Sequence, residues 1–222
     1  MSAARDQILA AVRKAKEPAP KTNAGPGRQA LLPPKFVREA RDLSELFLEK
    51  LTAAAATYAV LDRASEIPQH LVAWLKTEKL SDVPIVLAEE PQLRALDWAG
   101  AGIAARHDKP DILAPSTIVS AAFAGVAETG SIALLTNADS RPSHNLLADT
   151  HVVVLSRSQI AASFEDVWRA VRVQGLPRSL AFITGASRTA DIEMTIELGV
   201  HGAVRMHVIL LNEQITARGF SR

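Results

Sequence analysis

Cysteine is absent from all 222 residues. Within this chain, disulfides, thiolate nucleophiles, cysteine-ligated zinc and ordinary iron–sulfur ligation are therefore excluded. An excess of one charge sign is missing too: 25 Lys and Arg stand against 24 Asp and Glu, a formal net charge of +1. That balance leaves no electrostatic footprint for a polyanion, and no nucleic-acid partner is expected. No apolar run approaches the roughly 20 residues of a membrane-spanning helix. The opening Met1-Ser2-Ala3-Ala4-Arg5-Asp6 lacks the apolar core of a signal peptide, so a soluble cytoplasmic protein is the default expectation. Internal repeats and low-complexity tracts are lacking. No two histidines stand at i, i+4 on a helix beside a carboxylate, and no metal site is expected. The residues identify no cofactor.

What is present is the material of a globule. Apolar residues make up 48% of the chain, enough for one sizeable core. Residues 2–16 carry an amphipathic helix pattern, with Ile8, Leu9 and Val12 on one side. Residues 17–34 turn to Pro, Gly, Ala and charge, the composition of an extended linker. Residues 1–34 are thus expected to form an appendage, and residues 35–222 an α/β domain.

Within that domain, helix and strand patterns alternate. Helices are expected at 43–56, capped by Ser44 or Asp42, at 67–77, at 91–98 with proline at the start, and at 163–173. Strands are expected at 58–61, 83–88, 131–136 and 151–155, with a weaker one at 102–105. The small apolar stretch 117–127 reads as a short helix followed by a strand. This alternation predicts a parallel-rich open sheet flanked by helices.

The chemistry concentrates near the end. Residues 180–183 form a short apolar run, followed by Gly185-Ala186-Ser187-Arg188-Thr189. Ile192 and Ile196 then repeat at i, i+4, as do Met194 and Leu198, and Gly199 stands where a helix would close. Residues 204–211 are again β-rich. The reading is a strand–loop–helix–strand unit of a parallel sheet. The amides of Ser187, Arg188 and Thr189 would then sit at a helix N-terminus and favour an anion, with the Arg188 fork beside them. The same turn also holds Asp191 and Glu193 as dipole partners, and Thr189 suits a plain N-cap, so both readings stand.

A second constellation is Ala127-Glu128-Thr129-Gly130-Ser131, at the entry to the strongest strand. Glu128 is placed to act as base, nucleophile or hydrogen-bond acceptor, or to brace the loop through backbone N–H groups. Arg141 and His144, in the loop after that strand, would add to a cationic wall with Arg188 if both loops opened at one sheet edge. His201, in the bend Gly199-Val200-His201-Gly202, either reaches that pocket or bonds the turn. His207 reads as a core or edge histidine, and His151 opens a strand.

Taken in order and spacing, these segments resemble the LUD-domain family, the lactate-utilisation protein C group. The matching pieces are Ala127-Glu-Thr-Gly-Ser-Ile-Ala-Leu-Leu135, Arg141 with Asn145-Leu-Leu and His151-Val-Val-Val, and Phe182-Ile-Thr-Gly-Ala-Ser-Arg-Thr-Ala-Asp-Ile-Glu193 with Gly199-Val-His-Gly202. Ala148, Ala186 and Ala203 stand where the family often has proline. The resemblance implies a fold like that of ribose-5-phosphate isomerase, glucosamine-6-phosphate deaminase and the CoA-transferases. It also implies a part in oxidising L-lactate to pyruvate with iron–sulfur subunits, this chain being a ligand-binding or accessory subunit. The ligand set expected on these readings is Thr129, Gly130, Arg141, Gly185, Ser187, Arg188, Thr189 and His201 around a small anionic metabolite, with Glu128 as the catalytic candidate. Two alternatives remain: an independent CoA-transferase- or isomerase-like enzyme using Glu128, and a regulatory module sensing an anion through Arg141 and Arg188. A homo-oligomer is compatible with all three.

Overall fold

The computed structural model describes residues 2–15, 42–106, 116–136, 147–190, 196–199 and 202–214. The chain divides into two compact units, Met1–Val37 and Arg38–Arg222. In the first lies helix α1, Ser2–Ala15. The second unit holds the sheets.

Its main sheet has five parallel strands in the order β1 (Thr57–Leu61), β11 (Arg205–Leu211), β6 (Thr150–Ser156), β3 (Thr117–Ala121) and β2 (Ile85–Leu87). Parallel strands need both faces covered, and β6 is buried along its whole length. Helix α3 (Ile67–Thr77) covers one face: Ile67, Leu71 and Leu75 pack with Val119, Val152, Val154 and Ile209. On the other face lie helix α2 (Leu43–Ala53) and a second sheet, ordered β7 (Ile160–Ala161), β4 (Ala124–Val126), β5 (Ser131–Thr136) and β8 (Ser179–Ile183). Phe47 and Leu51 of α2 share one core with Val153, Leu155 and Val208 of the main sheet and Ile132 and Leu134 of the second. Helix α5 (Phe164–Gln174) closes the outer face of the second sheet through Val167 and Val171.

Several expected boundaries move, each for a local reason. Helix α2 begins at the Asp42 cap, whose Oδ1 accepts from the Ser44 amide at 2.8 Å. It stops at Ala53 instead of running through the alanines to 56, because Ala55 turns left-handed at φ 59° where a glycine would usually stand. Helix α4 spans only Pro91–Arg94, since the Trp98 indole donates to the Leu93 carbonyl at 2.7 Å and the chain bends there. The weak strand expected at 102–105 is a single bridge between Val86 and Arg106. The helix expected within 117–127 is absent: two strands, β3 and β4, lie there in different sheets. Gln159 pins the crossing between them, its amide donating to the carbonyls of Ala122 at 3.0 Å and Phe123 at 3.2 Å.

The largest correction concerns the stretch after β8. Arg188–Ala190 forms strand β9 and Ile196–Leu198 forms β10, an antiparallel pair with Leu198 opposite Arg188. No helix starts at Ser187, so the helix-dipole cradle falls. Ile192, Met194, Ile196 and Leu198 satisfy i, i+4 spacing, but they equally satisfy strict alternation with Glu193, Thr195 and Glu197. The period-2 reading is the one realised at residues 196–198. Nor do β8 and β11 share a sheet, so the parallel crossover unit does not exist.

Three glycines seat helix α2. A Cβ on Gly125 would lie 2.9 Å from Leu155 Cδ2 and 3.0 Å from Phe47 Cε2. One on Gly130 (φ +69°) would collide with the Leu51 amide, and one on Gly185 (φ +69°) with the Ala54 carbonyl. The last two positions require both a left-handed backbone and a missing side chain.

One polar knot, buried at His207 and open at Thr57, sits between β1, β11 and α3. His207 Nδ1 meets Thr57 Oγ1 at 2.7 Å, its Nε2 meets His70 Nε2 at 3.0 Å, and Trp74 stacks on its ring with centroids 4.4 Å apart. Burial, with the neighbouring His70 adding to it, pulls the His207 pKa down to about 3, and burial lowers His70 as well. His207 is therefore neutral in the fold.

The glycine seat and the histidine knot can each be tested by stability measurements. Gly130→Ala and Gly185→Ala should each lower the free energy of unfolding by about 2–5 kcal/mol, combining overpacking with left-handed strain. Gly102→Ala, at φ +76° in open space, should cost only about 1–2 kcal/mol. Equal losses in urea titrations of all three would show that backbone strain alone, and not the seat of α2, sets the cost. For His207, the unfolded chain binds a proton that the fold refuses, so its contribution is complete above pH 6.5 and declines as pH falls toward 3. His207→Gln should flatten the stability profile in that window, and a profile as steep as the parent's would assign the acid sensitivity to other groups.

Candidate functional site

Strand β8 leaves the second sheet at Ile183, and residues 184–187 carry the chain over the amino-terminal edge of the main sheet into β9. Backbone bonds hold this loop down: the Ser187 amide donates to the Ala203 carbonyl at 2.8 Å, and the Ser187 carbonyl accepts from the Gly199 amide at 3.2 Å. Gly185 presses on the end of α2. Beneath the loop is a cavity of about 430 Å³, lined by Thr184, Ser187 and Arg188 above and by His151, Met206 and the Gly202–Ala203 backbone below.

Its floor follows from strand register. His151 and Met206 are the second residues of β6 and β11 and stand side by side, with Ile118 on the far side of His151. Both point to the α2 side of the sheet. Ser120, on the same face of β3, meets His151 Nε2 with its Oγ at 2.7 Å. Both residues are buried, His151 to 1% exposure and Ser120 to 0%, so the imidazole is fixed in the wall by a hydroxyl. The cavity thus joins one guanidinium, one oriented imidazole and two hydroxyl side chains. That set suits a small anion carrying a further polar oxygen: the arginine fork matches a carboxylate, and imidazole exchanges a proton with a hydroxyl. The site opens at the amino edge of the parallel strands, whereas ligand sites of open α/β sheets generally lie at the carboxyl edge.

The residues expected from sequence separate into four sets. Gly185, Ser187 and Arg188 line the cavity. Glu128, Thr129 and Gly130 form the turn before β5 and do not line it. Glu128 Oε1 accepts from the Phe164 amide at 3.0 Å, supplying a cap to α5 beside Ser163. Thr129 is tied to the cavity indirectly: its Oγ1 meets Ser131 Oγ at 2.7 Å, and that hydroxyl meets Thr184 Oγ1 at 2.6 Å. Thr189 lies in β9, opposite Glu197. Arg141, His144 and His201 lie outside the described residues. Among the described residues, no group of three or more His, Asp or Glu is gathered as for a metal ion, and no helix is long and apolar enough to cross a membrane.

His151 is the site residue that pattern reading passed over. In sequence it merely opens Val152-Val153-Val154, and Ser120 is one polar residue in an apolar run. The available signal was that each puts a polar group into a strand otherwise buried on both faces. Their pairing depends on the register of β3 against β6.

Comparison with known proteins bears on this arrangement. A protein called lactate utilization protein C from Anoxybacillus flavithermus is 34% identical over 89 residues, covering 40% of this chain and 40% of that protein. The protein of the same name from Bacillus subtilis is 27% identical over 63% of this chain and 67% of its own length. That from Deinococcus radiodurans is 26% identical over 83% of this chain and 88% of its own. The chain thus spans about two fifths of the length of the Anoxybacillus relative, and more of the others. A crystal structure of a DUF162-family protein from Deinococcus radiodurans matches with a TM-score of 0.56 at 20% identity, over 77% of this chain and 96% of that one, which supports the fold. The model of the LUD domain matches residues 44–211, from the second residue of α2 to the last of β11. The chain belongs to the LUD domain family.

Proposed function

We infer that this chain serves lactate utilisation by holding a small 2-hydroxy or 2-oxo monocarboxylate in the cavity under residues 184–188. The observation that carries this reading is that Arg188 and His151 line one cavity, with Ser187 and Thr184 beside them. In this reading Arg188 takes the carboxylate in a bidentate pair. His151, held by Ser120, exchanges a hydrogen bond or a proton with the 2-oxygen. The names of the relatives support the substrate class.

Oxidising a 2-hydroxy acid removes two electrons, and the lining side chains are none of them electron carriers. With no cysteine in the chain, thiolate-bound iron–sulfur clusters would have to sit on partner subunits, making this the ligand-holding member of a lactate-oxidising complex. Glu128 is engaged at the N-terminus of α5, and a covalent acyl-transfer role for it gains no support from that placement.

Titration calorimetry with L-lactate, pyruvate and propionate tests the reading. The first two should bind more tightly than propionate, which lacks the 2-oxygen. Arg188→Ala should weaken all three by about ten- to a hundredfold, the loss of one charge-assisted pair. His151→Gln should erase the preference over propionate while leaving carboxylate binding in place. An unchanged affinity in Arg188→Ala, or no heat with any of the three acids, would remove this cavity from consideration.

A further inference from the structure

Helix α5 buries Val167 and Val171 against the second sheet, and its opposite side carries Glu165, Trp168, Arg169, Arg172 and Val173. Those five residues line a shallow surface groove of about 560 Å³. Trp168 is 43% exposed and Val173 84%, and Leu176, just past the helix, is 74% exposed. An exposed tryptophan flanked by exposed aliphatics and arginines has the composition of an interface centre rather than of a solvated helix face.

The order of charges on this stripe says what covers it. Glu165 and Arg172 are seven residues apart, two turns or about 10.5 Å along the axis. Trp168 and Arg169 occupy the middle. Reversing the helix about a two-fold axis between residues 168 and 169 places Glu165 opposite Arg172 and Trp168 opposite Arg169. The stripe is therefore complementary to its own reverse, which is the requirement of an isologous interface. Arg169 already bonds Asp166 at 2.7 Å, which holds its guanidinium at the centre of the stripe while leaving the side chain 71% exposed. From there it can stack on the facing indole.

We propose that this face docks a second copy of the chain, the two α5 helices packing antiparallel through reciprocal Glu165–Arg172 ion pairs and Trp168–Arg169 stacking. The contact is the size of a single helix face, below the roughly 800 Å² per partner of a standard interface, so the dimer forms and dissociates with concentration.

Sedimentation velocity over a concentration series reads this directly with the intact chain. The parent protein should pass from monomer to dimer as concentration rises. Glu165→Arg and Arg172→Glu should each remain monomeric at concentrations where the parent is dimeric, because each sets like charges opposite one another twice. An equimolar mixture of the two variants should form a heterodimer. In it the introduced arginine of one chain faces the introduced glutamate of the other, and the remaining pair keeps its native signs. The double variant should dimerise on its own. Recovery on mixing separates the interface from any folding defect, which mixing would not repair. A parent that stays monomeric at its highest attainable concentration overturns the proposal. So does a dimer indifferent to both single reversals, which would place the contact on another surface.

Discussion

Everything near the cavity depends on how one stripe of helix α2 is seated. Phe47, Leu51 and Ala54 fall at i, i+4 and i+7, one above another on the same face. Opposite them are Gly125, Gly130 and Gly185, each lacking the Cβ that would strike the helix. Three separate parts of the chain present bare backbone to one helix: the strand β4, the turn before β5 and the loop after β8. Because Phe47 and Leu51 also share a core with both sheets, the seat fixes the second sheet to the main one. Interiors are packed densely enough that such a contact cannot be relaxed at one point without moving the others. The loop at 184–188 is held over the amino edge of the main sheet for the same reason: Gly185 is caught on the end of α2. The motif's glycines thus serve the architecture, and the ligand-facing groups are their neighbours.

Strand β11 acts as a partition between two polar environments. Met206 faces the cavity on the α2 side, and His207, the next residue, faces α3 on the other. Burying an imidazole is costly unless its nitrogens are bonded. His207 meets that condition with Thr57 and His70, and Ser120 holds Nε2 of His151. The partners differ in kind. A second histidine beside His207 penalises protonation, which adds to the effect of burial and keeps it neutral. The two buried histidines of neighbouring strands therefore differ in what surrounds them: one is built into a packed knot, and the other into the wall of a space large enough for a small molecule.

How much of this could be read from the sequence depended on the kind of signal. Amphipathic segments were legible: α3 at Ile67–Thr77 has Ile67, Leu71 and Leu75 buried on one stripe, and β5 at Ser131–Thr136 is a run with turn residues on either side. The stretch 117–127 was not, because Ala, Gly and Ser buried on all sides leave no period to count. The residues after Gly185 failed for the opposite reason, satisfying the helical and the alternating pattern together, and pairing between β9 and β10 decided the matter locally. At the site, Arg188, Ser187 and Gly185 were legible because they cluster in sequence. His151 and Ser120 are 31 residues apart and meet only through the register of two parallel strands. Glu128 was legible as a residue on rigid backbone, but its engagement with the Phe164 amide depended on where α5 begins.

The position of the cavity also bears on what can reach a bound ligand. In most open α/β sheets the loops at the carboxyl edge form the site, and helix N-termini there supply anion-binding amides. Here the site is at the amino edge, under a loop followed by strand β9 instead of a helix, so no helix N-terminus among the described elements lines it; the helix end that does, α2 at Ala54, is a carboxyl end, which disfavours an anion. Anion binding must then rest on a side-chain charge, which gives Arg188 a weight it would not carry in a helix-capped cradle. Its long side chain is exposed and belongs to a two-stranded hairpin outside both main sheets. Charge supplied that way is cheaper to desolvate than a buried guanidinium. Under the proposed reading, the rigid half of the site, His151 and Ser120, handles the oxygen whose geometry changes on oxidation. The exposed half, Arg188, holds the carboxylate, whose geometry does not.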